Sequence, residues 1–131
     1  MLAWDSTDKQ CVHYRLLDDS LEPVGASQVV EGSCAGQGYH PRIAVGPTGR
    51  FVVAYWNLLP EPPPYGCSAR AAVFEADGTA AGPSFEVSEG FGCSSEVRVA
   101  ASPAGDVLFV WNRDDGVSDV IEAKLIPRLV E

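Results

Sequence analysis

An internal repeat constrains this chain more than any other feature. The stretch PRIAVGPTGRFVVAYW, Pro41 to Trp56, returns 56 residues later as VRVAASPAGDVLFVW, Val97 to Trp111. Arg42 aligns with Arg98, Pro47 with Pro103, Gly49 with Gly105 and Tyr55 with Trp111. A chain that repeats itself at such a period builds copies of one supersecondary unit, each burying its apolar face against the next.

Turn signals divide the chain into short β-type runs, and no stretch sustains helical periodicity. With the strands of a full unit lettered A to D, the middle repeat reads Pro41–Val45 (A), Arg50–Trp56 (B), Ala69–Glu75 (C) and Ser84–Ser88 (D). Gly46-Pro47-Thr48-Gly49, the long NLLPEPPPYGC loop, and Asp77-Gly78 with Gly82-Pro83 separate them. The third repeat supplies A at Val97–Ala101, B at Asp106–Trp111 and C at Asp119–Ile126. Because Gly25 matches Gly82, the N-terminal segment is also a repeat, with B at Leu2–Trp4, C at Val12–Leu17 and D at Ser27–Glu31. The expectation is ten strands in the order BCD–ABCD–ABC, forming one domain over residues 1–131. Its three units cover about 1–39 (partial), 40–95 (complete) and 96–131 (partial).

Polarity within the strands bears on how the units pack. Strand B is apolar on both faces, with Phe51, Val53 and Tyr55 on one and Val52, Ala54 and Trp56 on the other. Strand C is small and apolar around Ala69–Phe74. Strand D alternates, with Phe85 and Val87 inward and Ser84, Glu86 and Ser88 outward. Inner strands covered on both faces, with a wetter outer strand, predict four-stranded antiparallel sheets stacked face to face as propeller-type blades. The alternative is a β-sandwich, in which every strand would show one wet face. Trp4, Tyr55 and Trp111 share one strand position and are expected in the core between units. Leu21 stands where the middle unit has the turn glycine, and Pro127 follows strand C of the third.

The repeated elements are Pro41, Ile43-Ala44, Gly49, Phe51 and Tyr55, followed by Val73-Phe74, Asp77-Gly78, Gly82, Phe85 and Val87. They resemble the propeller-like repeats of about 50–60 residues found in bacterial exported and surface proteins. The resemblance implies a blade-type fold. It leaves function open, since that architecture hosts lectins, hydrolases and scaffolds alike.

Four cysteines, Cys11, Cys34, Cys67 and Cys93, occupy corresponding places, two per repeat. Four cysteines allow three pairings, and up-and-down strand order separates them. Strand C starts at the rim where B ends, and D returns to that rim. Cys11 and Cys67 lie at the start of C, and Cys34 and Cys93 just after D. The pairing expected is Cys11–Cys34 and Cys67–Cys93, against the alternative of four free core thiols. A cysteine metal centre is disfavoured, because there is no C-x-x-C and His13 and His40 are not clustered with the thiols. Disulfides point to an oxidising compartment, so the protein is expected to be secreted, on the cell surface or periplasmic. The N-terminal MLAWDSTDKQ carries no signal peptide, which would then have been removed or lie upstream.

The net charge of −9, with 18 acidic and 9 basic residues scattered along the chain, argues against nucleic acid, which needs a basic stripe. The longest apolar runs are too short to span a bilayer as a helix. No HExxH, G-x-S-x-G or glycine-rich phosphate loop is present.

The B–C loops share one rim and carry the candidate site residues. In NRDDGVSD, Asn112, Asp114, Asp115 and Asp119 form a weak calcium candidate, set against a plain Asp115-Gly116 turn. Pro62-Pro63-Pro64-Tyr65 fits the polyproline pattern that WW domains read, an implausible partner for an exported chain. Trp56 takes a position that is Asp5 or Asn112 in the other repeats. It is either a stacking platform for a sugar or protein, or a tryptophan covered by the proline loop. Arg42 and Arg98 are expected to pair with acids of an adjacent unit.

The functional expectation is a non-enzymatic exported module that presents Trp56, Tyr65, Asp114 and Asp115 to a protein or carbohydrate partner. The alternatives are a glycan-acting hydrolase using rim carboxylates such as Glu89 and Glu96, and a structural spacer. No cofactor other than calcium is in view. Two partial units leave open edges, so further repeats in a longer chain or self-association are expected.

Overall fold

The computed structural model describes residues 2–5, 11–34, 37–58, 66–88 and 93–131. The chain is all-β, with ten strands and no helix among the described residues. The strands are β1 (Leu2–Asp5), β2 (Val12–Leu17), β3 (Pro23–Val29), β4 (Gln37–Val45), β5 (Phe51–Leu58), β6 (Cys67–Phe74), β7 (Phe85–Glu86), β8 (Cys93–Ala101), β9 (Val107–Asp114) and β10 (Asp119–Ile126).

Four hairpins use one five-residue turn. In each, the first residue's N–H donates to the fifth residue's C=O, and the fourth residue's N–H donates back to the first residue's C=O. The turns span 18–22, 46–50, 75–79 and 102–106, with distances of 2.8–3.2 Å. The fourth position must be left-handed, which suits glycine. Gly49, Gly78 and Gly105 hold it at φ of 88°, 87° and 84°, and Leu21 holds it at 64°.

These hairpins assemble two sheets: β1-β2-β3, and a seven-stranded sheet in the order β10-β9-β8-β6-β5-β4, with β7 paired to β6. Both faces of the β5–β6 hairpin are buried. On one face, Phe51, Val53, Tyr55, Ala72 and Phe74 pack with Val12, Tyr14 and Val30. On the other, Val52, Ala54, Ala69, Ala71 and Val73 pack with Val97, Val107, Phe109 and Trp111. The middle unit is therefore a layer between its neighbours, which explains why its sequence shows no wet face. Tyr14, Phe51 and Phe74 form an aromatic contact on the first face, with centroids 4.5–5.9 Å apart. The Tyr14 hydroxyl donates to Gly78 O at 2.8 Å, and burial raises its pKa.

Several expectations need correction. The units are not separate four-stranded sheets, because β8 meets β6 in parallel at Cys67–Cys93 and the second and third units share one sheet. The A strands are longer than Pro41–Val45 and Val97–Ala101, since each resumes pairing beyond a bulge, between Tyr39 and Arg42 in β4 and between Ser95 and Arg98 in β8. The first D strand is Pro23–Val29 rather than Ser27–Glu31. β7 is reduced to two residues, and Ser88 is buried rather than outward, where its hydroxyl accepts from the Ala69 N–H. Tyr55 and Trp111 are core residues; the Trp4 side chain lies outside the described residues.

Beyond β10 the chain turns at 127–130 and inserts Val130, fully buried, into the core of the second and third units. Val130 N–H donates to Gly105 O at 3.0 Å, and Arg128 N–H to the Asp106 carboxylate at 3.0 Å. A Cβ on Gly46 would fall on Val130 O, and one on Gly105 would come within 2.6 Å of Glu131. The segment thus fastens a turn of the second unit to a turn of the third.

Candidate functional site

Cysteines pair as expected, Cys11–Cys34 and Cys67–Cys93, with Cα–Cα distances of 4.5 and 4.4 Å. The second bridge organises one end of the large sheet. Cys67 lies opposite Leu58 at the end of β5, and Cys93 lies opposite Asp114 at the end of β9. That end carries the two A-strand bulges. At their crests stand His40 and Glu96, repeat equivalents at φ of 50° and 52°. A left-handed conformation is costly for such residues and is kept only where the surroundings enforce it. The bulges aim the two side chains at each other, with His40 Nδ1 3.1 Å from Glu96 Oε1.

His40 also closes an aromatic cluster. Tyr39 lies opposite Trp56 in the β4–β5 ladder, with ring centroids 4.7 Å apart and planes inclined at 31°. The His40 ring stands edge-on to Trp56 at 6.1 Å. Trp56 is half-buried, and its indole N–H is buried without a hydrogen-bond partner among the described residues. The covering residues identified are therefore Tyr39 and His40; the Pro62–Tyr65 motif, including the candidate Tyr65, and Glu89 lie outside the described residues.

The arginines behave differently from expectation. Arg98 pairs with Glu96 of its own strand at 3.1 Å, and Arg42 donates to the Pro41 carbonyl at 2.9 Å. Neither reaches an acid of an adjacent unit in these contacts, because the bulge turns each guanidinium along its own strand. The hydrogen bond from His40, then that from Arg98, holds the Glu96 carboxyl below the usual glutamate range.

Asn112, Asp114, Asp115 and Asp119 are all on the β9–β10 hairpin at this same end. Asp114 accepts from the Gly116 N–H at 2.7 Å, and Asp115 accepts from Val117 and Ser118, each at 2.9 Å. Those bonds lower the Asp115 pKa. Asn112 donates weakly to Asp119 at 3.4 Å. The carboxylates serve the turn, and no group of three or more His, Cys, Asp or Glu among the described residues is arranged to hold a metal.

Sequence reading missed the partnership of His40, Tyr39 and Glu96. Its only trace was the alignment of His40 with Glu96 at the repeat spacing. Also missed was a buried polar pair, Asn57 and Ser68, opposite each other in the β5–β6 ladder, whose Oδ1 and Oγ have no hydrogen-bond partner among the described residues.

Searches against family models, curated proteins and solved structures find no match for this chain.

Proposed function

We propose that this chain is an exported, non-enzymatic binding module of the propeller-repeat type, which recognises a carbohydrate or protein partner at the Tyr39–His40–Trp56 rim. The paired bulges carry this reading. Two non-glycine residues hold left-handed conformations at exposed positions on neighbouring bulges, and they place polar groups around a half-buried aromatic pair. Aromatic faces beside a carboxylate, an imidazole and the Arg98 guanidinium suit a saccharide, which offers C–H faces to rings and hydroxyls to polar groups. The two disulfides fit an oxidising environment, and no helix among the described residues is long and apolar enough to cross a membrane. Layering of the middle unit between its neighbours supports the blade-type arrangement.

A glycan-hydrolase reading would need a carboxyl kept protonated near neutrality. The hydrogen bonds that Asp77, Glu96 and Asp115 accept hold these three carboxyls below their usual range, so these three do not meet that need. The test is a glycan array with the wild-type chain and Trp56→Ala. Binding without turnover, weakened at least tenfold by the substitution, is expected. Turnover abolished by one carboxylate substitution would replace this reading with the hydrolase, and silence on glycans and on candidate protein ligands would leave a structural spacer.

A further inference from the structure

The two edges of the large sheet are built differently. β4 is blunted by Pro41, by its bulge and by the left-handed His40, devices that discourage strand addition. β10 has none of these. It runs for eight residues, Asp119–Ile126, in unbroken register with β9, and its outer edge meets no strand among the described residues.

Hydrogen-bonded pairs alternate along an antiparallel ladder, so two turn bonds set the direction of each β10 amide. Asp115 N–H donates to Ser118 O, which makes 113–120, 111–122 and 109–124 the hydrogen-bonded pairs of β9–β10. Independently, Ser102 N–H donates to Asp106 O, so Leu108 and Val110 bond to β8, leaving the odd-numbered β9 residues for β10. Both place the N–H and C=O groups of Ile121, Ala123 and Leu125 on the open edge. The side chains of Ile121 and Leu125 are 74% and 61% exposed.

From this geometry we infer that β10 is a homodimer edge, pairing antiparallel with β10 of a second copy about a two-fold axis at Ala123. Symmetric registers that match the outward amides differ in what they oppose. Centred on Glu122, the pairing sets two carboxylates face to face; centred on Lys124, two ammonium groups. Centred on Ala123, it sets Glu122 against Lys124 twice, Ile121 against Leu125 twice and Val120 against Ile126 twice. Opposite charges and apolar pairs across strands stabilise, and like charges oppose. Glu122 already accepts from Trp111 Nε1 at 3.1 Å and Arg113 Nε at 2.8 Å, and a carboxylate retains acceptor sites beyond two bonds. An open hollow lined by Val87, Trp111, Glu122, Ala123 and Lys124 adjoins this edge. The inference does not depend on the binding role proposed above.

Light scattering and sedimentation of the 131-residue chain test it. A concentration-dependent dimer is expected, weakened at least tenfold by Lys124→Glu and by Glu122→Lys, and recovered as a heterodimer when the two variants are mixed. Because Glu122→Lys also removes partners of Trp111 and Arg113, a second measurement uses cysteine at exposed positions. All four native cysteines are in disulfides, so Ala123→Cys adds one free thiol, and across the two-fold axis the Cα atoms would stand about 5.5 Å apart. Ile121→Cys would leave its thiols separated by about 14 Å along the strand. Efficient covalent dimerisation by Ala123→Cys but not Ile121→Cys is expected. A chain that stays monomeric through high micromolar concentration, a dimer indifferent to Lys124→Glu, or equal cross-linking at both positions would overturn the inference.

Discussion

Leu21 occupies, at φ 64°, the place that glycine holds in the other three turns of the same type, and it is 75% exposed. Asp18 compensates in part, its carboxylate accepting from the Ser20 and Glu22 N–H groups at 2.9 Å. A left-handed residue with a Cβ costs about 1–2 kcal/mol, and glycine returns some of that through unfolded-state entropy. Leu21→Gly is therefore expected to raise stability by about 0.5–1 kcal/mol, read from the urea midpoint, since almost no packing is lost. Glu96 supplies a pH signature at the same scale. Its folded-state pKa is lowered by His40 and Arg98, so its contribution is fully present above the ordinary value of 4.5 and disappears as pH falls through the lowered one. The side chain is 50% exposed, and solvent screening keeps the contribution below about 1 kcal/mol. Between pH 7 and 3 the wild-type chain should lose slightly more stability than Glu96→Gln in paired denaturation curves. Parallel curves would remove the ion pair from the account of the rim.

Among the elements, the segment after β10 performs a task that its sequence does not announce. Val130 fills the core between the second and third units, and Gly46 admits its backbone. Gly46→Ala would have to expel Val130, forfeiting about 1.5–3 kcal/mol of burial together with the Val130–Gly105 hydrogen bond. The expected loss is about 2–4 kcal/mol, with amide protection falling in residues 127–131 and in both adjoining turns. Gly82→Ala serves as the comparison, because nothing lies within 4 Å of a Cβ there. At this scale the sequence announced the hairpins and cysteine partners, because turn chemistry and strand order are local or follow directly from local elements. It did not announce the bulges. A left-handed His40 or Glu96 is locally disfavoured and is imposed by neighbouring strands.

The whole molecule shows the same division. Doubly apolar strands such as Phe51–Trp56 required cover on both faces, and the two clusters either side of β5–β6 supply it. Short-range patterning therefore determined the all-β class, the number and order of the strands and the Cys11–Cys34 and Cys67–Cys93 pairing, because side-chain alternation, turn stereochemistry and chain reversal act within a few residues or one hairpin. Tertiary structure decided the rest: the joining of two units into one sheet at Cys67–Cys93, the insertion of Val130, the meeting of His40 with Glu96 and Trp56, and which strand edge meets no other strand among the described residues. Those contacts join residues far apart in the chain, and their energies depend on packing and register that no local sequence pattern encodes.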